Sequence, residues 1–303
     1  MLLSVMHNMC RIGTYREWKR AGIFVFKALT ICFLLSIWQS NYTLTISHHA
    51  ISTDKVDTSF RVVLLSDLHN SEFGRDNARL AELVQKQQPD MILLAGDMLN
   101  GFETQTETIS GIVERLAQIA PTYAAYGNHE YTHEVWYGTD IRTLYENAGA
   151  ELLEANYMDI QVNGQTVRLG GILGYCLSEK YLSSGEAKHK EIEYLKAFQN
   201  TEHFTMLLCH YPLCWIKNDN LEQWDIDSIF AGHAHGGQIR LPIVGGIYAP
   251  DHGMFPGQLS GLYYSQDRER VMILTRGLGG RSKLPRLNNV PEIVVVDILP
   301  QMK

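Results

Sequence analysis

Five times in this chain a short, largely apolar run stops at an aspartate, an asparagine or a histidine. The runs are Phe60-Arg61-Val62-Val63-Leu64-Leu65-Ser66, Met91-Ile92-Leu93-Leu94-Ala95, Tyr123-Ala124-Ala125-Tyr126, Phe204-Thr205-Met206-Leu207-Leu208 and Ser228-Ile229-Phe230-Ala231. Side chains alternate across a strand, so a short run that is apolar at nearly every position is what a strand covered on both faces is expected to show. Apolar residues at helical spacing separate the first three runs. Ala78, Leu80, Ala81, Leu83 and Val84 lie within residues 75–88, stopped by Pro89, and Ile109, Ile112, Val113, Leu116 and Ile119 follow. Strand, helix, strand, helix, strand predicts an α/β layered fold.

Around this framework, residues 41–47 alternate like a strand and residues 48–59 read as a polar connection. Residues 159–173 predict a hairpin turning at Asn163-Gly164, residues 186–198 a helix, and residues 271–274 and 292–298 late strands. With 45% hydrophobic and 19% charged residues and no repeat or linker, residues 41–303 are expected to form one domain. Five cysteines (Cys10, Cys32, Cys176, Cys209, Cys214) without a CxxC pair suggest neither a disulfide framework nor a structural zinc site, and Cys176 and Cys209 read as small core residues.

Residues 21–38 (AGIFVFKALTICFLLSIW) are apolar apart from Lys27 and, as a helix, span about 27 Å, enough to cross a bilayer. Residues 1–20 carry four basic side chains and one acid, which places them in the cytoplasm and everything after residue 40 outside. A cleaved secretory signal has the same charge order, but Gln39-Ser40-Asn41-Tyr42 offers no A-x-A-like site. An uncleaved anchor in the cell membrane is the expectation; a cleaved signal and a buried cytosolic helix are the alternatives. Of the net charge of −7, the basic segment holds +3, so the remainder is acidic and a poor match for nucleic acid.

The polar residues that end the runs carry the chemistry. Asp67 and His69 follow the first, Gly96-Asp97 the second, Gly127-Asn128-His129-Glu130 the third, Cys209-His210 the fourth and Gly232-His233-Ala234-His235-Gly236-Gly237 the fifth. Ligand crevices of α/β sheets lie at the carboxyl ends of strands. Asp67, Asp97, Asn128, His69, His210, His233 and His235 include no thiolate and suit divalent Mn, Fe, Zn, Co or Ni. Seven such groups exceed one tetrahedral ion and suit two ions sharing a carboxylate, the clamp used for phosphoester hydrolysis.

These five motifs, in this order over residues 60–236, resemble the calcineurin-like metallophosphoesterases. The Gly-His-x-His-Gly-Gly-Gln-Ile-Arg-Leu-Pro run at 232–242, Gly-Leu-Gly at 277–279 and Asn-Asn-x-Pro-Glu-Ile at 288–293 are similar to membrane-associated bacterial members. The resemblance implies a β-sandwich flanked by helices, with two divalent ions at strand carboxyl ends. It implies that Asp67, His69, Asp97 and His235 hold one ion, and Asp97, Asn128, His210 and His233 the other. It further implies a hydroxide between the ions as nucleophile, with His129 stabilising or protonating the leaving oxygen. Glu130 is expected to play little part, because adjacent side chains on a strand end diverge. Ala234 and Asn100 depart from residues common in relatives, and neither is a ligand in the family pattern.

The resembling group contains phosphodiesterases and enzymes that split the pyrophosphate of a lipid-linked sugar nucleotide, so a diester or pyrophosphate near the bilayer is the expected substrate. A catalytically silent metal-binding scaffold and a nuclease are the rival readings. Residues 248–257 suggest an apolar lip over the site or else a packed surface loop. Arg240, Arg276, Arg281 and Arg286 are either phosphate contacts or solvated surface charges.

Overall fold

The computed structural model describes residues 15–174, 190–217, 220–250, 252–280 and 285–301. Helix α1 (Tyr15–Tyr42) carries the apolar N-terminal segment, is long and apolar enough to cross a membrane, and is left largely exposed by the other described residues. Strand β1 (Thr45–Thr53) follows at once. The strand expected at 41–47 is therefore displaced. The helix persists through Tyr42, and the first half of the stretch read as a polar connection is strand, because it pairs in parallel with the last described strand, from Thr45↔Glu292 to Thr53↔Pro300.

Then come β2 (Phe60–Leu65), α2 (Ala78–Gln85), β3 (Met91–Leu94), α3 (Glu107–Ala117), β4 (Thr122–Ala125), α4 (Asn128–Tyr137), α5 (Ile141–Asn147) and β5 (Ala150–Leu153). Left-handed backbone at Asp76 and Asn77 delays α2 to Ala78, later than the periodicity predicts. β6 (Asn156–Val162) and β7 (Gln165–Ile172) form the hairpin expected at Asn163-Gly164. α6 (Lys190–Phe198) covers part of the helix expected at 186–198; its first residues and Cys176 lie outside the described residues. β8 (Phe204–Cys209), α7 (Leu213–Lys217), α8 (Asn220–Gln223) and β9 (Ser228–Ala231) lead to four two-residue strands, β10 (Arg240–Leu241), β11 (Gly245–Gly246), β12 (Tyr248–Ala249) and β13 (Gly253–Met254). β14 (Gly261–Tyr264), β15 (Val271–Leu274) and β16 (Glu292–Pro300) complete the chain.

Two six-stranded sheets result, ordered β1-β16-β2-β3-β4-β5 and β14-β15-β9-β8-β7-β6. They pack face to face. Val62, Leu64, Met91 and Leu93 of the first meet Leu169, Phe204, Met206, Leu208, Phe230 and Ile273 of the second in one apolar layer. The alternate residues Val63, Leu65, Ile92 and Leu94 pack beneath Leu80, Val84, Ile112, Leu116 and Tyr145 of α2, α3 and α5. Leu207, Cys209 and Ile229 likewise pack beneath Leu195, Phe198, Trp215 and Leu221 of α6 to α8. This is the helix-flanked β-sandwich, and it explains why the strands read as unbroken apolar runs. β2 to β5 are mutually parallel, as are β7, β8, β9 and β15, so each sheet gathers its carboxyl ends at one edge.

Candidate metal centre

At that edge the chain turns abruptly. Asp67, His69, Asp97, His233 and His235 all have positive φ, between 48° and 68°, a conformation that non-glycine residues seldom adopt and that clusters at functional sites. The turns are crowded as well. A Cβ on Gly127 would run into the Asp97 carboxylate, and one on Gly232 into Ser66 and Asp67, so only glycine lets these strands converge.

The side chains so aimed form two joined clusters. In one, Asp67, His69 and His235 offer ligand atoms within 4.8 Å of one another; in the other, Asp97, His210 and His233 do the same. Nε2 of His69 lies 3.3 Å from Nε2 of His235. Nε2 of His235 is 3.5 Å from Asp67 Oδ1, and that of His69 is 3.9 Å from it. Nδ1 of His233 lies 3.2 Å from His210 Nε2. Asp97 stands between the clusters, its Oδ2 3.2 Å from His210 Nε2 and 3.7 Å from His69 Nε2. Asn128 opens α4, with its Oδ1 buried and without a hydrogen-bond partner among the described residues.

Burial and charge set the protonation states. Burial drives the His69 ring toward its neutral form, lowering its pKa to about 3 despite the Asp97 carboxylate. The same burial opposes a charge on His210, yet Asp97 outweighs it and lifts that pKa to about 10. Asp97 is correspondingly held well below the usual carboxylate range, its burial overcome by His210, while burial raises Asp67 to about 6. Nδ1 of His210 donates to Ala95 O at 2.7 Å, which turns Nε2 into the site. Two buried carboxylates, four imidazoles and an orphaned amide oxygen, with no thiolate, fit divalent metal ions.

His129 sits beside this set, its ring 4.4 Å from that of His69. Its main-chain N–H donates to Asp97 Oδ1 at 2.8 Å, and its Nδ1 accepts from Gly101 N–H at 2.9 Å. Phe102, half exposed, lies 5.3 Å from the His129 ring and 5.2 Å from that of Trp136.

Glu130 is the residue that the sequence undervalued. It lies in the first turn of a helix rather than on a strand end, and it is completely buried. Its carboxylate accepts from Asp97 N–H and Met98 N–H at 2.8 Å, Gly127 N–H at 2.9 Å, Leu99 N–H at 3.4 Å and Tyr145 O–H at 2.9 Å. Burial and the neighbouring Asp97 charge push its pKa up.

The arginines divide. Arg276 pairs with Glu292 at 3.0 Å. Arg286 is no solvated surface charge: it is buried, donating to Gly279 O at 2.8 Å and Arg276 O at 2.7 Å. Arg240 is half-buried, and Arg281 lies outside the described residues.

Residues 60–237 match the family model described as calcineurin-like phosphoesterase. The phosphodiesterase YaeI of Escherichia coli (strain K12) is 29% identical over 248 residues, covering 79% of this chain and 82% of YaeI. The uncharacterized metallophosphoesterase YkoQ of Bacillus subtilis (strain 168) is 25% identical over 281 residues, covering 87% and 94%. A dimetal phosphatase from Danio rerio overlays with a TM-score of 0.44 at 11% identity, covering 72% of this chain and 87% of its own.

Proposed function

Because the chain belongs to the calcineurin-like phosphoesterase family and is a phosphoester hydrolase, we propose that it is a membrane-anchored phosphodiesterase or pyrophosphatase using two divalent ions. In this reading Asp67, His69 and His235 would hold one ion and Asn128, His210 and His233 the other, with Asp97 available to both. The observation that carries it is the position of Asp97 Oδ2, 3.7 Å from His69 Nε2 and 3.2 Å from His210 Nε2, within reach of a ligand atom of each cluster. When bound, the ions neutralise phosphoryl oxygens and make a water nucleophilic near neutral pH.

The chain's own groups supply the rest. Gly101 N–H donates to His129 Nδ1, so the neutral ring carries its hydrogen on Nε2, where it can donate a hydrogen bond that stabilises the departing oxygen. The bond from His129 N–H to Asp97 holds that ring against the site. Mn, Zn, Fe and Co all suit the donor set.

Helix α1 would anchor the enzyme, with residues 1–20 cytoplasmic and residues 41–303 outside, in keeping with the basic cluster before the apolar span. An anchored diesterase favours a substrate presented at the bilayer, such as a lipid-linked sugar nucleotide.

The test is turnover by the full chain in detergent, loaded in turn with Mn, Zn, Fe and Co, on matched aryl monoester, aryl diester and lipid-linked pyrophosphate, with metal counted per chain. Diester or pyrophosphate cleavage at two metals per chain is expected. Preference for the monoester, or full activity at one metal, refutes the reading.

A further inference from the structure

Two facts about the segment after the last histidine motif call for an explanation. Ile243 is wholly exposed, and Val244, Met254 and Phe255 are more than half exposed. Ile243 and Phe255 also have φ of 71° and 53°, left-handed backbone that is unfavourable for any side chain with a Cβ and most of all for a β-branched one. Folding buries none of Ile243 and less than half of Phe255, so little burial offsets that strain.

The hairpins β10–β11 and β12–β13 that carry these side chains are tied to the end of α1. Phe255 N–H donates to Ile247 O at 2.7 Å and Ile247 N–H to Ile239 O at 2.8 Å, while Arg240 N–H donates to Leu287 O at 3.0 Å. The next two residues reach the helix: Asn288 N–H donates to Ser36 Oγ at 3.0 Å and Asn289 N–H to Ser40 Oγ at 2.9 Å. Asn289 also donates to His235 O at 2.7 Å, so the same layer touches the metal centre. Ser36 lies inside the apolar span, which ends at Trp38. A domain hydrogen-bonded to Ser36 therefore stands at headgroup level; the β10–β11 turn at Ile243, three residues beyond Arg240, lies within about 10 Å of that residue, and Phe255 is held beside the same hairpin through Ile247.

We propose that these two hairpins are a second membrane contact, with Ile243, Val244, Met254 and Phe255 inserted into the headgroup–acyl boundary of the bilayer that holds α1. The proposal rests on the anchor reading above. The contact holds the metal centre against the lipid surface.

The full chain, reconstituted in phosphatidylcholine and phosphatidylglycerol vesicles, is tested as Ile243→Trp and Phe255→Trp, with Glu202→Trp as control; Glu202 is exposed and precedes β8, at the opposite edge of the sheet. The emission added by each tryptophan, taken as the difference from wild type, is measured with lipids brominated near the headgroup. Interfacial side chains sit about 5–10 Å deep, within reach of such bromines, so quenching at 243 and 255 is expected to exceed the control at least about twofold. Vesicle flotation is scored in parallel. A chain that floats yet is quenched equally at all three positions overturns the contact and leaves the anchor standing. A chain that does not float removes the anchor, and the contact with it. Crosslinking of floated chains into dimers through position 243, without quenching there, assigns the patch to a second copy and also overturns the proposal.

Discussion

Glu130→Gln tests whether the buried carboxylate builds the site. Five donors converge on its two oxygens: Asp97 and Gly127 N–H on Oε2, and Met98 and Leu99 N–H with Tyr145 O–H on Oε1. Glutamine keeps one acceptor oxygen and points its NH2 at the other group. If the amide replaces Oε2, two buried N–H groups lose their partner, at about 1–3 kcal/mol each, or about 2–6 kcal/mol together. That is a large share of a domain stability of about 5–15 kcal/mol. At about 2–4 °C per kcal/mol for a domain of this size, melting should fall by about 5–20 °C. Tyr145→Phe removes a single donor and should cost only about 1 kcal/mol. The assay is thermal unfolding of both variants in detergent, with and without a chelator, beside metal content. Because Glu130 joins the loops of Asp97 and Asn128, weaker metal retention is expected in Glu130→Gln and not in Tyr145→Phe. Equal melting of Glu130→Gln and Tyr145→Phe, with metal retained in both, would refute the reasoning.

Asp97→Asn should abolish activity and remove at least one metal, checked by metal analysis of the purified variant; two retained ions with activity would sink its assignment as the shared ligand. His129→Ala should keep both metals while turnover drops by about 10²–10⁴, and unchanged turnover would dismiss the ring from leaving-group chemistry. Glu292 is held below its ordinary value of 4.5 because Arg276 and Ser47 outweigh its burial. Its stabilisation is therefore present above about pH 4.5 and is lost as pH falls through the lower folded value. Urea unfolding between pH 3 and 7 should accordingly show a flatter acid limb in Glu292→Gln than in wild type. A chain beginning at Asn41 keeps the bonds between Asn41 and Arg286 but loses the hydroxyls of Ser36 and Ser40, so it should stay folded and active with stability reduced by about 1–3 kcal/mol.

The candidate ligand residues were legible because they sit where unbroken apolar runs stop, a signal that needs no tertiary information. α4 was not legible, for a definite reason. Its buried face is made of His129, Glu130 and His133, while Tyr131, Val135 and Trp136 are exposed, so its amphipathicity runs opposite to the usual rule. Glu130 was undervalued for the same reason, since its importance appears only once the helix turns it beneath Asp97. Arg286 was illegible in another way: a buried guanidinium whose Nε and Nη2 bond main-chain carbonyls leaves no local pattern. β1 was misplaced because its strand partner among the described residues comes from the far end of the chain.

That pairing has a consequence for biosynthesis. β16 inserts between β1 and β2, and the paired residues Thr45 and Glu292 are about 250 residues apart. At about 5–20 residues per second, the ribosome needs roughly 10–50 s after β1 emerges before β16 exists. For that interval the nascent chain carries two open strand edges, one of them the apolar Phe60–Leu65. Closing this sheet is therefore a late, long-range event, and chains released before residue 292 keep the edges that invite aggregation.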